Sequence, residues 1–471
     1  MPAASLRTLL LALLALLVLA VPASASRSMT TSFEAPRDLL DPDPAVRSAA
    51  LDDIQSLGVD SLRVVLIWQK VAPEPDAKRR PDFNTTDPAS YNWGAYDPLL
   101  SEAKQRGMKV LLTVSGPVPT WATENKKTGD HTTRPNRGDF AQFVTAVGRK
   151  FKDRVDTWSV WNEPNQPQFL APQYDSKKRP VSGRLYRGLY KAALKGLKSA
   201  KVEDPEVLIG ETSPRGTGKV VAPLTFLRQA LCLDSRDRRR KGCGMLRTDG
   251  VAHHAYTTRE GPSFVPDGPN DVTIGVLSRL TRLVNRAGAS KAIPKRLPLH
   301  LTEFGIQSTP DPIFGVFQQR QDEFRNLSER IAYYNPRVAT FSQYLLRDDR
   351  PDENAKSRLA RYPGFESGLR TSSGRDKQAY DSFRLVLSAL RRSSRITTLW
   401  GLVRPAGKTT TAVVEYRTGR KGSWRKLKTV RTNTRGFYNV RTRTAKNRQY
   451  RLTWESPSGE NLTGGAIRPL R

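Results

Sequence analysis

Cysteine is almost absent: two in 471 residues, with four histidines and four methionines. So few thiols and imidazoles exclude a disulfide-dense miniature scaffold, and without a local Cys/His cluster no metal is expected. Carboxylates are scarce as well, 45 against 78 Lys and Arg, which leaves a formal net charge of +33. Long apolar runs are missing too. The longest, residues 9–21, is shorter than the roughly 20 residues a membrane helix needs.

That short run has the length of a signal-peptide core. It follows a lone arginine, Arg7, and leads to Ala23-Ser24-Ala25, a small-residue cleavage site. The expectation is a signal peptide over 1–25, an exported mature chain and no transmembrane segment after cleavage. In an oxidising compartment, Cys232 and Cys243, eleven apart in a polar, Arg-rich segment, are expected to pair. A loop of that size stabilises by about 3 kcal/mol in the chain-entropy description. The positive excess has two readings, a solvated Arg-rich surface or attraction to anionic polymers of the cell envelope. No nucleic-acid-binding motif accompanies it, so nucleic acid is not an expected partner.

Between residues 28 and 390 apolar strand-like runs alternate with helical spacing. Strands are predicted over 28–33, 59–68, 108–114, 155–161, 206–210, 250–256, 298–303 and 338–346. Helices are predicted over 45–57, 96–106, 139–151, 185–200, 223–233, 272–287, 318–334 and 376–390. Eight such units argue for a (β/α)8 TIM barrel, α/β in class. An open doubly wound sheet would usually carry a Gly-rich phosphate turn, and none is present. From 393 the pattern turns to short alternating strands punctuated by glycine. This is the signature of an antiparallel β-sandwich of the fibronectin or immunoglobulin-like sort. The expected domains are therefore a barrel over 26–392 and a basic sandwich over 393–471, the latter with 18 Lys and Arg against 3 acids.

Two of the predicted strands end in glutamate. The run at 155–161 delivers Trp161-Asn162-Glu163-Pro164, and 298–303 delivers Thr302-Glu303-Phe304-Gly305. Two carboxylates at the tips of barrel strands suit glycosidic bond cleavage, one acting as acid/base and one as nucleophile. Asn-Glu-Pro on strand four with Glu on strand seven resembles the clan A (β/α)8 glycoside hydrolases, most nearly the cellulase-like family 5.

The resemblance implies a retaining O-glycoside hydrolase acting on β-linked poly- or oligosaccharide without a cofactor. Glu163 would be the acid/base and Glu303 the nucleophile. Asn162 would contact the sugar 2-hydroxyl, and Arg63 would pair with the nucleophile. His254 and Tyr256 match the family's His-x-Tyr, with Tyr256 bonded to Glu303, while His253 points into the core. Trp68, Trp121 and Trp161 are candidate stacking platforms, Trp121 foremost because a loop carries it. Tyr344 stands where the family usually has tryptophan. Glu211, ending strand five, is a third carboxylate at the mouth, read as a structural or substrate-hydroxyl contact. The alternatives are a clan relative with β-xylosidase-like or transglycosylase activity, and a non-catalytic envelope protein that only binds glycan.

Overall fold

The computed structural model describes residues 26, 28–126 and 129–470. The leader expected over 1–25 lies outside them. Eight parallel strands close a barrel: β1 (Thr30–Glu34), β2 (Ser61–Ile67), β3 (Lys109–Ser115), β4 (Thr157–Val160), β5 (Glu206–Thr212), β6 (Gly250–His254), β7 (Leu299–Glu303) and β8 (Val338–Tyr344). The last strand returns to the first, with Glu34 in register with Tyr344. The strands are short and buried on both faces, so their sequences read as continuous apolar runs rather than alternation. Local chemistry fixes the helices between them. The helix Arg137–Phe151 starts where the Asn136 side chain accepts from the amides of Gly138 and Asp139. Among the described residues no helix is long and apolar enough to cross a membrane.

The last barrel helix is shorter than its sequence suggests. Helix was expected over 376–390, but it spans Gln378–Arg384, and β9 (Leu385–Arg391) follows at once. The stretch Leu-Val-Leu-Ser-Ala-Leu is apolar at either period, and partners decide it. Leu385, Leu387 and Ala389 enter the second core, while Val386 faces the barrel's core. The sandwich thus begins about eight residues before position 393. It continues with β10 (Ile396–Val403), β11 (Thr411–Thr418), β12 (Arg425–Arg431), β13 (Phe437–Arg443), β14 (Arg448–Glu455) and β15 (Asn461–Thr463). A three-stranded sheet, β13-β10-β9, faces a four-stranded one, β12-β11-β14-β15.

The two domains share a core. Trp400, Leu402 and Phe437 belong to the barrel's hydrophobic cluster. Tyr333, ending the helix Gln318–Tyr333, packs against Phe437 and Trp400 with ring centroids 4.5 and 5.1 Å apart. Beside this contact Glu329, fully buried, accepts from Arg404 of the sandwich and, at 3.0 Å, from Arg325 of its own helix. Both guanidinium groups also lie over the Phe383 ring, at 4.2 and 4.3 Å. Arg435 reaches Asp60, just before β2, at 2.5 Å. The sandwich therefore braces the end of the barrel where strands begin, opposite the mouth.

Burial alone would raise the Glu329 pKa, but Arg404 and Arg325 outweigh it and hold the carboxylate below its usual range. Removing that anion strands two buried cations. Glu329→Ala should cost about 3–5 kcal/mol, read by denaturant unfolding, and barrel and sandwich should melt in one transition. Unchanged stability, or two separated transitions, would contradict a shared core.

Candidate active site

Arg63, in mid-β2, points along the barrel axis with no exposed side-chain surface. A bare guanidinium there would be prohibitively costly, and four side chains from other strands meet it. One nitrogen, Nη1, donates to Glu34 at the tip of β1 and, at 3.0 Å, to Glu303 at the tip of β7. The other, Nη2, donates to Glu211 of β5 at 2.6 Å and to Asn162 at 2.7 Å. Burial would lower the Arg63 pKa, but the three glutamates drive it well upward, so the charge is permanent.

Backbone geometry places the carboxylates. After β4, Trp161 and Glu163 adopt φ of 70° and 39°, a turn that folds the Glu163 side chain back over the barrel. Such left-handed residues cost about 1–3 kcal/mol each and persist where the surroundings over-determine them. Here Glu163 N–H donates to Glu211 O at 3.0 Å, and Asn165 ties the loop to Ser213 and Val221. Gly116 leaves room for the Trp161 indole, since a Cβ there would sit 2.5 Å from it. Glu211 likewise has a φ of 45°, at a register shift between β5 and β6. Gly305, after β7, allows close approach to the chain after β8: a Cβ would meet Tyr344 O at 2.5 Å.

Glu163 and Glu303 come together across His254. Its Nδ1 lies 2.9 Å from Glu163 Oε1 and 3.4 Å from Glu303 Oε2. Nearest oxygens of the two carboxyl groups are within 4.8 Å of one another. Burial pushes the His254 pKa down to about 4 in spite of the neighbouring Glu303, so the bridging imidazole is neutral near pH 7. Glu163 is raised to about 7, chiefly by burial, with Arg63 and the Gln166 amide pulling the other way. Glu303 instead receives two donors, Arg63 and the Tyr256 hydroxyl at 2.7 Å. The two carboxyl groups thus sit in different surroundings, Glu163 governed by burial and Glu303 held by two donors.

The remaining carboxyls divide in the same manner. Burial raises Glu34 to about 8, Arg63 opposing and Glu303 and Glu211 adding to it. Burial also works against Glu211, but Arg63 prevails and its pKa is lowered. Glu163, His254 and Glu303 are close enough to serve as ligands of a metal ion. The Arg63 cation 3.0 Å from Glu303 acts against a second positive charge there.

A cleft of about 650 Å³ opens over this group, and Glu34, Asn162, Glu163, Tyr256, Glu303 and Tyr344 all line it. Its aromatic walls are Tyr96, Phe169, Tyr256, Phe314, Tyr344 and Phe365. No tryptophan contributes among the described residues. Trp121 is 3% exposed, donates to Pro73 O at 3.3 Å and meets Trp68 edge-on at 5.6 Å. The long β2–α connection, with Phe83 against its ring at 5.8 Å, covers it, so the expected sugar platform is core. Trp68 and Trp161 are buried too. His253 bonds to Thr212 and Val272 O, as a core histidine would. Glu211 is fully buried below the mouth, held by Arg63 and, at 2.8 Å, by Thr113. Glu34 was not singled out in the sequence. Its signal was there: like Glu163, it ends a strand just ahead of a proline, Pro36.

Comparison with known proteins rests on shape alone, since no protein-family model and no curated protein sequence matches the chain. A glucosidase from Croceicoccus marinus superposes with a TM-score of 0.52 at 13% identity, over 92% of this chain and 96% of that one. The chain shares with that glucosidase the closed eight-stranded (β/α)8 barrel fold. A GH51 arabinofuranosidase from Xanthomonas axonopodis pv. citri gives a TM-score of 0.44 at 10% identity, covering 91% of this chain and 96% of its own. A β-glucosidase from Trichoderma harzianum gives 0.43 at 14%, covering 72% and 85%. At these identities the fold alone is shared.

Among the described residues Arg63 is the cation that Glu34, Glu211 and Glu303 share, so the effect of its loss should be pH-dependent. Burial raises Glu34 even with Arg63 present, and without Arg63 the Glu211 carboxyl that it holds low would rise as well, so ionisation then opposes folding. Arg63→Met should destabilise by at least about 3 kcal/mol near neutral pH, and by clearly less at pH 5, where protonation relieves the repulsion. Thermal unfolding at pH 5 and pH 8 reads the difference. Equal destabilisation at both would remove the charge-balancing role.

Proposed function

We propose that the protein is a retaining O-glycoside hydrolase acting on β-linked poly- or oligosaccharide, with Glu163 as acid/base and Glu303 as nucleophile. The observation that carries the reading is the spacing of the two carboxyl groups, whose nearest oxygens lie within 4.8 Å. Retaining enzymes hold theirs about 5–5.5 Å apart, whereas inverting enzymes leave about 6.5–9.5 Å for a water.

The chemistry follows from the surroundings. Glu163, its pKa near 7, delivers its proton to the departing glycosidic oxygen. Glu303, fixed by Arg63 and Tyr256, attacks the anomeric carbon from the opposite face. The bond to the leaving oxygen breaks as the glycosyl ester forms. Glu163, now ionised, takes a proton from water, whose oxygen displaces Glu303 from the sugar. Asn162, oriented by Arg63, presents its amide to the 2-hydroxyl. Tyr344 and Phe365 offer ring faces along the cleft. The intact set of Arg63, Asn162, Glu163, Tyr256 and Glu303 favours catalysis over glycan binding alone. Export fits the Cys232–Cys243 disulfide, because such bonds persist in oxidising compartments.

Protonated Glu163 is the active form, so kcat/KM should fall as pH rises through about 7. Glu163→Ala should abolish that alkaline limb. Hydrolysis of aryl glycosides with strongly acidic phenol leaving groups should survive, and alkyl glycosides should slow by about 10²–10⁴-fold. Equal losses on both substrate types, with the limb retained, would reassign the acid.

A further inference from the structure

The sandwich holds a second cleft, of about 470 Å³, remote in sequence from the barrel mouth. Four separate segments build it: the end of β9, the turn after β11, the β13–β14 turn with the start of β14, and residues 468–469. Each brings at least one cation, namely Arg391, Arg420, Lys446 with Arg448, and Arg468. No carboxylate lines the cleft, and none of the five cations makes an ion pair among the described residues. Glu323 accepts from the Arg468 backbone N–H at 3.4 Å and also feels the Arg468 charge, without forming an ion pair with it.

Three cations elsewhere in the domain have acidic partners. Arg451 pairs with Glu415 at 2.6 Å, Arg435 with Asp60 at 2.5 Å, and Arg404 with buried Glu329. Other cations of the domain, Arg425, Lys426 and Lys428 among them, also lack ion pairs among the described residues, and what sets this group apart is that five cations from four segments converge on one concavity. Its walls are also fixed. Arg391 N–H donates to Leu470 O at 2.9 Å, and Gly419 N–H to Asn447 O at 2.8 Å. Arg448 is half-buried, its guanidinium held 4.3 Å over the Tyr416 ring, which pre-organises one fork.

We infer that this cleft binds an anionic glycan, with the guanidinium forks of Arg391, Arg420, Arg448 and Arg468 reading its acidic groups. Four arginines and a lysine, none in an ion pair among the described residues, match planar oxyanions such as carboxylate and sulfate, which arginine engages in bidentate fashion. Asn447 adds an amide for hydroxyls. No aromatic side chain lines the cleft, so nucleobases would lack a stacking platform. The site acts independently of the chemistry proposed for the barrel, and its role is to hold the protein on its glycan.

Because the sandwich shares the barrel's core, deleting it would test folding and not binding, so the experiment uses the full chain. Arg420→Gln, Lys446→Gln and Arg468→Gln together remove three exposed cations from the cleft. Arg425→Gln, Lys426→Gln and Lys428→Gln remove three exposed cations from β12 as an equal-charge control. Binding to polygalacturonate and dextran sulfate is measured by titration near physiological salt, with neutral dextran and poly(dT) alongside and the melting temperature as a fold check.

The cleft variant should lose about tenfold in affinity for the acidic polysaccharides, three contacts of modest strength each. The control should change less than about twofold, and neutral dextran should not bind. Either acidic polysaccharide alone suffices and identifies the group read. Equal losses in both variants would show diffuse charge and overturn the site. So would the absence of acidic-glycan binding by the unaltered chain, or tighter binding of poly(dT) than of either polysaccharide.

Discussion

The structure turns on one buried cation. Arg63 stands at the centre of an eight-stranded barrel, and its two terminal nitrogens are met by residues of β1, β5 and β7 and by Asn162 just after β4. Because those partners lie far apart in sequence, the ion pairs form only when the barrel closes. The same requirement sets the site's chemistry. A carboxyl held by Arg63 and a tyrosine hydroxyl is fixed by two donors, and one left mostly to burial has its pKa raised. Glu303 is the first kind and Glu163 the second, although both are glutamates at strand tips.

Much of this was legible in the sequence. Eight strand-helix periods, two strands ending in glutamate, an arginine inside an apolar run and the His254-Ala255-Tyr256 step pointed to the barrel and to the residues that meet at its mouth. What escaped was decided by tertiary partners. Trp121 sits on a loop and reads as exposed, but a long connection carrying Phe83 closes over it. Glu211 ends a strand as Glu163 does, yet a register shift drops it below the mouth. The stretch 385–391 is apolar enough for helix or strand, and only pairing with β10 settles it. Glu34 lay in plain view, but a single carboxylate at a first strand gains meaning only when Arg63 is seen to touch it.

The sandwich is a structural partner as much as an appendage. Its tryptophan and phenylalanine complete the barrel's core, and Arg404 meets the carboxylate of a barrel helix. That attachment lies at the end opposite the barrel mouth, leaving the cleft above Glu163 and Glu303 open. The excess positive charge is likewise uneven. Inside the molecule cations are matched to glutamates, and at the edge of the sandwich they are left without partners.

The central claim is that Glu163 and Glu303 act by double displacement, and the stereochemistry of the first product tests it most directly. Proton NMR during cleavage of a β-glycoside, recorded before the sugar mutarotates, reads the anomer released. Two carboxyl groups this close leave no room for a water between nucleophile and sugar, so the first product should be the β-anomer. An initial α-anomer would mean inversion, and the assignment of Glu303 as nucleophile would fall.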